Sequence, residues 1–227
     1  MQANTHNDGS GTSIPPLTPA SKVTSIAQTA AGDYSLLNNP LTAATQNISS
    51  RAPSYTIREM RSDEVPIMAA LWHRTFFDQQ GVSEDVPTAL ANERRDLAKC
   101  VLFMQKKMST EGYCALLAVA SDGEVRGLAL LKGAGHHAEV EKCYLDRSAR
   151  GTGLAAKLMA AAEAKLRDMV SVSCQCIMLH VLPGNKRARR FYERHGFSYK
   201  RDFVLNVSLP GGPTVPLKLL RYEKVLP

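Results

Sequence analysis

Two glycines stand between a basic segment and an alanine-rich run in RSARGTGLAAKLM, residues 147–159. Glycine favours neither helix nor strand, so Gly151 and Gly153 predict a turn, followed by a helix over about 154–169. Glycines let the backbone approach an anion closely, and the first turn of a helix presents N–H groups that lack a partner within the helix. The segment therefore predicts a phosphate-binding turn, with Arg150 beside it as a charged donor.

The letters GTGLAA also satisfy the loose dinucleotide pattern G-x-G-x-x-G/A. That pattern normally opens the first βαβ unit of a domain and has an acidic residue about 20 residues later. Four predicted strands and two predicted helices precede these glycines, and no acid stands at that spacing, where Cys176 is found. A nucleotide-dependent oxidoreductase is therefore a weaker alternative, and a turn without a ligand also stays open.

The chain has 227 residues and a formal net charge of +7, and all of the positive excess lies beyond residue 54. Such a domain attracts nucleic acid, an acidic protein or a polyphosphate cofactor, and the charge alone does not choose among them. The five cysteines are odd in number and lie mostly in apolar runs. This usage predicts free thiols in a reducing compartment, without disulfides and without a metal site.

The chain divides by composition into a tail and a folded domain. Residues 1–52 are rich in Ser, Thr and Asn and are predicted to be disordered. Residues 53–227 are predicted to fold as one α+β (mixed α/β) domain, in the order strand, two helices, three strands, helix, strand, helix, two strands. The second helix is predicted to run without a break over residues 89–109. A cytoplasmic location is expected, with export through the polar N-terminal segment as the alternative.

A second motif, NKRARRFYERHGF at residues 185–197, follows the glycine turn after one helix and one strand. Together the two motifs resemble those of the GNAT superfamily of acyl-CoA-dependent N-acetyltransferases, which read Q/R-x-x-G-x-G/A and N-x-x-A-x-x-F-Y-x-x-x-G-F. The matching positions are Arg150, Gly153 and Ala155 in the first, and Asn185, Ala188, Phe191, Tyr192, Gly196 and Phe197 in the second. The resemblance extends over residues 55–227 in element order and over 138–197 in motif detail.

The resemblance implies a central, mostly antiparallel mixed sheet flanked by helices, with two strands splayed apart at the cofactor site. It also implies acetyl-CoA as cosubstrate, with no metal. The diphosphate would rest on the glycine turn, and the pantetheine arm would pair with the strand that ends at Leu145. The residues expected to bind the cosubstrate are Cys143, Leu145, Arg150, Gly151, Thr152, Gly153, Leu154, Ala155, Asn185 and Tyr192.

Acyl transfer to an amine needs a base, because the amine is protonated in water and must lose a proton before it attacks. Glu139 and Glu141 are two apart in a predicted strand and share one face, and paired acids can raise one pKa toward neutrality. The resemblance favours Glu139 as base, with Glu141 second, and an exposed ion-paired couple is the alternative. It also places Tyr192 where the family's general acid lies; otherwise this residue is a packing tyrosine. His180 is expected to be structural.

The sequence thus predicts an N-acetyltransferase that moves an acetyl group directly from acetyl-CoA to a primary amine of a small molecule or a protein. A non-catalytic acyl-CoA-binding or regulatory domain is the alternative. Neither a nucleic acid nor a membrane is expected as partner, and the protein is expected to be a monomer or a homodimer. The acceptor, the acyl-chain preference and the role of residues 1–52 stay open.

Overall fold

The computed structural model of the protein describes residues 53–78, 85–209 and 212–226, so the predicted tail lies outside the described residues. The described residues form one seven-stranded sheet in the order β1-β2-β3-β4-β5-β7-β6. The strands are β1 (Tyr55–Glu59), β2 (Tyr113–Ala120), β3 (Val125–Ala134), β4 (His137–Leu145), β5 (Cys176–Val181), β6 (Ser198–Ser208) and β7 (Thr214–Val225). The helices are α1 (Val65–Phe76), α2 (Thr88–Arg95), α3 (Leu97–Met108), α4 (Leu154–Met169) and α5 (Lys186–Arg194).

Neighbouring strands are antiparallel except for β4 and β5, which are parallel. This arrangement confirms the predicted mixed, mostly antiparallel sheet. A parallel pair needs a long crossover connection, and helix α4 lies in the connection between β4 and β5. The crossover therefore brings the glycine turn, which precedes α4, to the end of β4.

Helices cover both faces of the sheet, and strand β3 shows why. Its residues alternate between two buried clusters, with Leu128 and Leu130 in the cluster of α1 and α3, and Ala129 and Leu131 in the cluster of α4. Successive side chains of a strand point to opposite faces, so the uninterrupted apolar run of residues 128–131 needs cover on both. The sheet is thus the middle layer of three.

One predicted element is wrong: residues 89–109 form two helices instead of one. Asp96 separates α2 from α3 in an extended conformation (φ −90°, ψ 109°), and its carboxylate accepts a hydrogen bond from the N–H of Lys99. The apolar stripe continues across the break, which is why periodicity alone suggested one helix. An aspartate that caps the next helix competes with the helical conformation at its own position.

A β-bulge in β4 decides which side chains face which layer. Leu131 pairs with Val140 and Leu130 pairs with Lys142, so Glu141 is the extra residue between them. Val140 and Cys143 consequently both belong to the cluster beside α4. The intervening Glu141 and Lys142 lie on the other side of the strand, toward α1 and α3.

Candidate active site

Strands β4 and β5 separate after three paired positions. Ala138, Glu139 and Val140 pair with Ile177, Met178 and Leu179, and the rest of β4 has no partner on β5. The expected splay is therefore present, and it leaves the edge of residues 141–145 open. Such an edge can pair with an extended, peptide-like ligand.

The backbone of this edge points its donors into the gap. The N–H of Asp146 donates to the carbonyl of Arg126 on β3 at 2.8 Å. Successive N–H groups of a strand point to opposite edges, so those of Leu145 and Cys143 point away from β3 toward the gap. Two of the residues expected to meet the cosubstrate therefore offer their backbone there.

The glycine turn has the conformation that only glycine adopts at low cost. Gly151 and Gly153 both have φ of 82°, and a Cβ built on either would meet no atom within 4 Å. Gly153 is also the N-cap of α4, whose first N–H groups lack partners within the helix. The turn is thus open toward the cavity and carries the partial positive charge of a helix N-terminus.

Neighbouring side chains stabilise the turn instead of filling it. The hydroxyl of Thr152 donates to the carbonyl of Ala149 at 2.8 Å. The Arg150 guanidinium lies 3.6 Å from the carboxylate of Asp78, after the end of α1. Leu154 is fully buried beneath the turn. Arg150 therefore faces the cavity while being held by one acid from another element.

One cavity of about 1450 Å³ joins the turn, the gap and the predicted acids. Its lining includes Gly153, Leu145, Glu139, Asn185 and Tyr192. It also extends between β6 and the helices α1, α2 and α3. The residues that the two motifs singled out, far apart in sequence, therefore meet around one space.

Glu139 lies between two imidazoles. Its carboxylate contacts His180 Nδ1 at 3.0 Å through one oxygen and His137 Nε2 at 3.1 Å through the other. Burial acts to raise the pKa of Glu139, but the hydrogen bond and charge of His180, with His137, outweigh it, and the pKa lies below its ordinary value. The expectation that the two acids raise one pKa toward neutrality is therefore wrong for Glu139.

Glu141 is engaged by cations. Its carboxylate lies 2.9 Å from the Lys107 ammonium and 3.4 Å from that of Lys142. Burial acts to raise the pKa of Glu141, but Lys142 and Lys107 lower it overall. The two acids thus have separate hydrogen-bond partners, and although the charge of Glu141 acts to raise the pKa of Glu139, the partners of Glu139 outweigh it.

His180 makes a contact with Glu139 that the sequence did not predict. Its Nδ1 donates to Glu139, since a carboxylate only accepts, so in the neutral form of the ring Nε2 is the unprotonated nitrogen. That Nε2 is buried and has no hydrogen-bond partner among the described residues. The imidazole stacks on Phe203 of β6, with 4.3 Å between ring centroids. No local signal marks His180: Glu139 pairs with Met178, and His180, two residues further along β5, comes near Glu139 only through the β4–β5 pairing.

Tyr192 and Cys143 lie together on the side of α5. Burial raises the pKa of Tyr192 far above its ordinary value, with smaller effects from Cys143 and Tyr144. Burial likewise raises the pKa of the Cys143 thiol to about 12. Tyr192 therefore stays protonated at neutral pH, and Cys143 is not a thiolate nucleophile.

Asn185 begins α5 as its N-cap, and its side-chain oxygen accepts from the N–H of Ala188 at 3.1 Å. The asparagine of the second motif therefore has a structural role that is independent of any ligand. Among the described residues, no cluster of three or more His, Cys, Asp or Glu could hold a metal ion. Within the same ranges, no helix is long and apolar enough to cross a membrane.

Comparisons with known proteins show which family the chain resembles. A family model described as the acetyltransferase (GNAT) family matches residues 69–197. No curated protein sequence matches the chain. Solved structures do: the PaiA N-acetyltransferase from Thermoplasma acidophilum, in complex with coenzyme A, is 17% identical with a TM-score of 0.55, over 76% of this chain and 99% of that chain.

Two further solved structures are similar to a comparable degree. A phosphinothricin acetyltransferase from Sinorhizobium meliloti, in complex with AcCoA, is 15% identical with a TM-score of 0.53, over 76% of this chain and 88% of that chain. The ribosomal-protein-S18-alanine N-acetyltransferase from Escherichia coli is 14% identical with a TM-score of 0.51, over 76% of this chain and 94% of that chain. At these identities the likeness establishes the fold.

Proposed function

The chain belongs to the acetyltransferase (GNAT) family and is an acyltransferase, and from that premise we propose that it transfers an acetyl group from acetyl-CoA directly to a primary amine. The observation that carries the proposal is that the glycine turn, the β4–β5 gap and the His180–Glu139 pair line one cavity. Similar structures contain coenzyme A and AcCoA, which supports the same donor here.

The described residues fit acetyl-CoA at two places. The open turn at Gly151 and Gly153, with the first N–H groups of α4, would hold the diphosphate, and Arg150 would add charge. The N–H groups of Cys143 and Leu145 point into the gap, where the peptide-like pantetheine arm would pair. The remaining expected residues shape these two places. Thr152 belongs to the glycine turn, Leu154 and Ala155 begin α4, and Asn185 caps α5. Bound acetyl-CoA supplies the thioester whose acyl group is transferred.

We assign the base to the Glu139–His180 pair. Glu139 holds the ring of His180 so that Nε2 has a free lone pair, which can take a proton from the ammonium of the acceptor. The lowered pKa of Glu139 suits a carboxylate that stays charged and orients an imidazole better than one that itself shuttles protons. Glu141 is the weaker candidate, because both neighbouring lysines engage it.

The proton balance of the reaction follows from these residues. The ammonium first gives one proton to His180, and the free amine attacks the thioester carbonyl while the N–H of Leu145 can donate to the developing oxyanion. As the carbon–sulfur bond breaks, Tyr192 donates a proton to the leaving thiolate, and the second proton of the attacking nitrogen restores the phenol directly or through water. The products are an amide, free coenzyme A and one proton.

Two measurements separate an enzyme from a non-catalytic acyl-CoA-binding domain. For the enzyme that we propose, calorimetry with coenzyme A should show saturable binding, and a screen of amines with acetyl-CoA should release free thiol; the non-catalytic domain would show the binding alone. Tyr192→Phe should keep coenzyme A binding and lower kcat by about a hundredfold or more, which is typical of a lost general acid. Donor binding without thiol release from any amine, or unchanged turnover in the variant, would speak against the assigned chemistry.

A further inference from the structure

Three cations gather on an aromatic wall of the cavity, which we call the cationic wall: Arg94, Lys107 and Lys142 on the rings of Trp72 and Phe103. The Arg94 guanidinium lies 4.7 Å from the ring centroid of Trp72 and 4.4 Å from that of Phe103. The Lys142 ammonium lies 4.9 Å and 5.2 Å from the same two centroids. The Lys107 ammonium is 5.5 Å from that of Phe103. All five side chains line the cavity.

The charges of the cationic wall are not balanced within the described residues. One carboxylate, Glu141, serves both Lys107 and Lys142. The nearby acid Glu93 is bound by Lys99 at 2.7 Å, on the solvent side. In residues 53–78, 85–209 and 212–226, no carboxylate lies within ion-pair distance of Arg94. Three cations therefore face one anion.

These cations are also withdrawn from water. The side chain of Lys142 is only 14% exposed, and burial lowers the pKa of Lys142 and of Arg94, because neighbouring acids do not fully offset the loss of solvent. Contacts with aromatic faces recover part of this cost but do not neutralise the charge. An anion placed on the wall would offset the rest.

Trp72 provides an independent sign of a missing acceptor. Its ring is 2% exposed, and its indole Nε1 is buried without a hydrogen-bond partner among the described residues. Indole N–H, guanidinium and ammonium can only donate. A buried donor without a partner is costly and rare in folded proteins, so this cluster fits a ligand that only accepts.

The cationic wall is distinct from the place of the diphosphate. Lys142 lies on the face of β4 toward α1 and α3, whereas the glycine turn begins α4 on the opposite face of the sheet. Lys142 nevertheless immediately precedes Cys143, whose N–H points into the gap. The pantetheine arm would occupy the gap itself, so an anion on the wall would belong to a molecule that approaches the gap from the face of α1 and α3, and we take that molecule to be the acceptor.

We propose that the acceptor is a small primary amine that carries a carboxylate, and that Arg94 and Lys142 bind this carboxylate beside the Trp72 ring. The inference rests on the proposed function and narrows its acceptor. A carboxylate can accept two parallel hydrogen bonds from a planar guanidinium group. It carries one negative charge, which adds to the one that Glu141 already places beside the three cations. Polyamines and other polycations would be repelled from the same place.

The first test compares matched acceptors on the wild-type protein. Each amino acid tested is paired with its amide. One series increases the distance between amine and carboxylate, from glycine through β-alanine to longer ω-amino acids, and a second series is a panel of L-amino acids. Thiol release from acetyl-CoA gives kcat/KM. The favoured acid should exceed its amide at least tenfold, although the amide's amine loses its proton more readily. Equal or better use of the amides, or a preference for phosphoethanolamine over β-alanine, would overturn the assignment.

A binding measurement decides the question even without turnover. Trp72 is the only tryptophan of the chain, so its emission reports directly on the cationic wall. Titration with the same acid and amide pairs should change the emission saturably for the favoured acid only. If no acid differs from its amide, the subsite does not exist. Failure to bind coenzyme A in a separate titration would instead reject the proposed function.

Arg94→Gln is the critical variant, and Arg95→Gln is its matched control. Arg95 is the next residue of α2, is exposed, and lies over Phe77 away from the wall. Arg94→Gln should lower kcat/KM for the favoured acid at least tenfold, change the amide less than threefold, and leave coenzyme A affinity unaltered. Arg94→Lys should restore part of the loss. An equal fall for acid and amide would show a structural role and refute the proposal.

Discussion

Replacing Gly153 by alanine tests whether the glycine turn binds phosphate. The substitution also strains the backbone, and a control variant measures that cost apart from the effect on binding. Gly153 has φ of 82°, and the hairpin residue Gly123 has φ of 85°; a Cβ at either position would meet no atom within 4 Å. Neither variant therefore creates a clash, and both impose the same left-handed conformation on an L-residue. Gly123→Ala is thus a control with the same backbone cost at a position outside the cavity lining.

The expected cost can be worked out from these angles. A left-handed conformation costs an L-residue roughly 1–2 kcal/mol, and the smaller freedom of alanine in the unfolded chain returns part of this. Both variants should therefore lose about 1 kcal/mol of unfolding free energy, or about 2–4 °C in Tm for a domain of this size. Urea denaturation and a thermal scan measure this directly.

Coenzyme A binding should then distinguish the two glycines. The methyl group of Gly153→Ala would occupy the open side of the turn, where we place the diphosphate, so the Kd should rise at least tenfold, equivalent to about 1.4 kcal/mol. Gly123→Ala should bind as the wild type does. Isothermal titration calorimetry gives both values. A Gly153→Ala protein that binds within twofold of wild type, or an equal loss in the control, would refute the phosphate-binding turn.

Three further outcomes are expected. His180→Gln should lower kcat at least a hundredfold with little change in coenzyme A affinity, whereas Glu139→Gln, whose amide oxygen can still accept from Nδ1, should keep more activity; the reverse order in steady-state rates would make Glu139 itself the proton acceptor. Because burial raises the pKa of Tyr192, its phenol should stay protonated through pH 10. The kcat of the wild type should therefore show no fall below pH 10 that is due to this phenol, and the pH profile of Tyr192→Phe should have the same shape. Glu64 is held by Arg58 at 2.6 Å and 2.7 Å, and this hydrogen bond, against the effect of burial, lowers its pKa to about 2. Its stabilisation is complete above about pH 4.5 and lost as the pH falls toward 2; Glu64→Gln should remove that dependence and cost about 2 kcal/mol at neutral pH in urea titrations.

Features that depend on neighbouring residues in the chain were predictable from the sequence. The glycine turn and α4 follow from the positive φ that Gly151 and Gly153 supply, and α5 follows from its cap Asn185 and its terminator Gly196. Where two local signals compete, prediction failed: the apolar stripe suggested one helix across Asp96, but the capping carboxylate ended it. Local chemistry therefore accounts for the presence of the elements better than for their bounds.

The chemistry of the site was decided by contacts between distant segments. Glu139 and His180 are 41 residues apart and meet only because β4 and β5 pair in parallel before they separate. Arg94 meets Trp72 only because helices pack on one face of the sheet, and the bulge at Glu141 turns Lys142 toward them. The amino-acid sequence alone determined the family and the glycine turn, because these reside in short segments with local conformational requirements. The tertiary structure alone decided the partners and the burial of each acid and base, because charge interactions depend on distance in space and on exclusion of water.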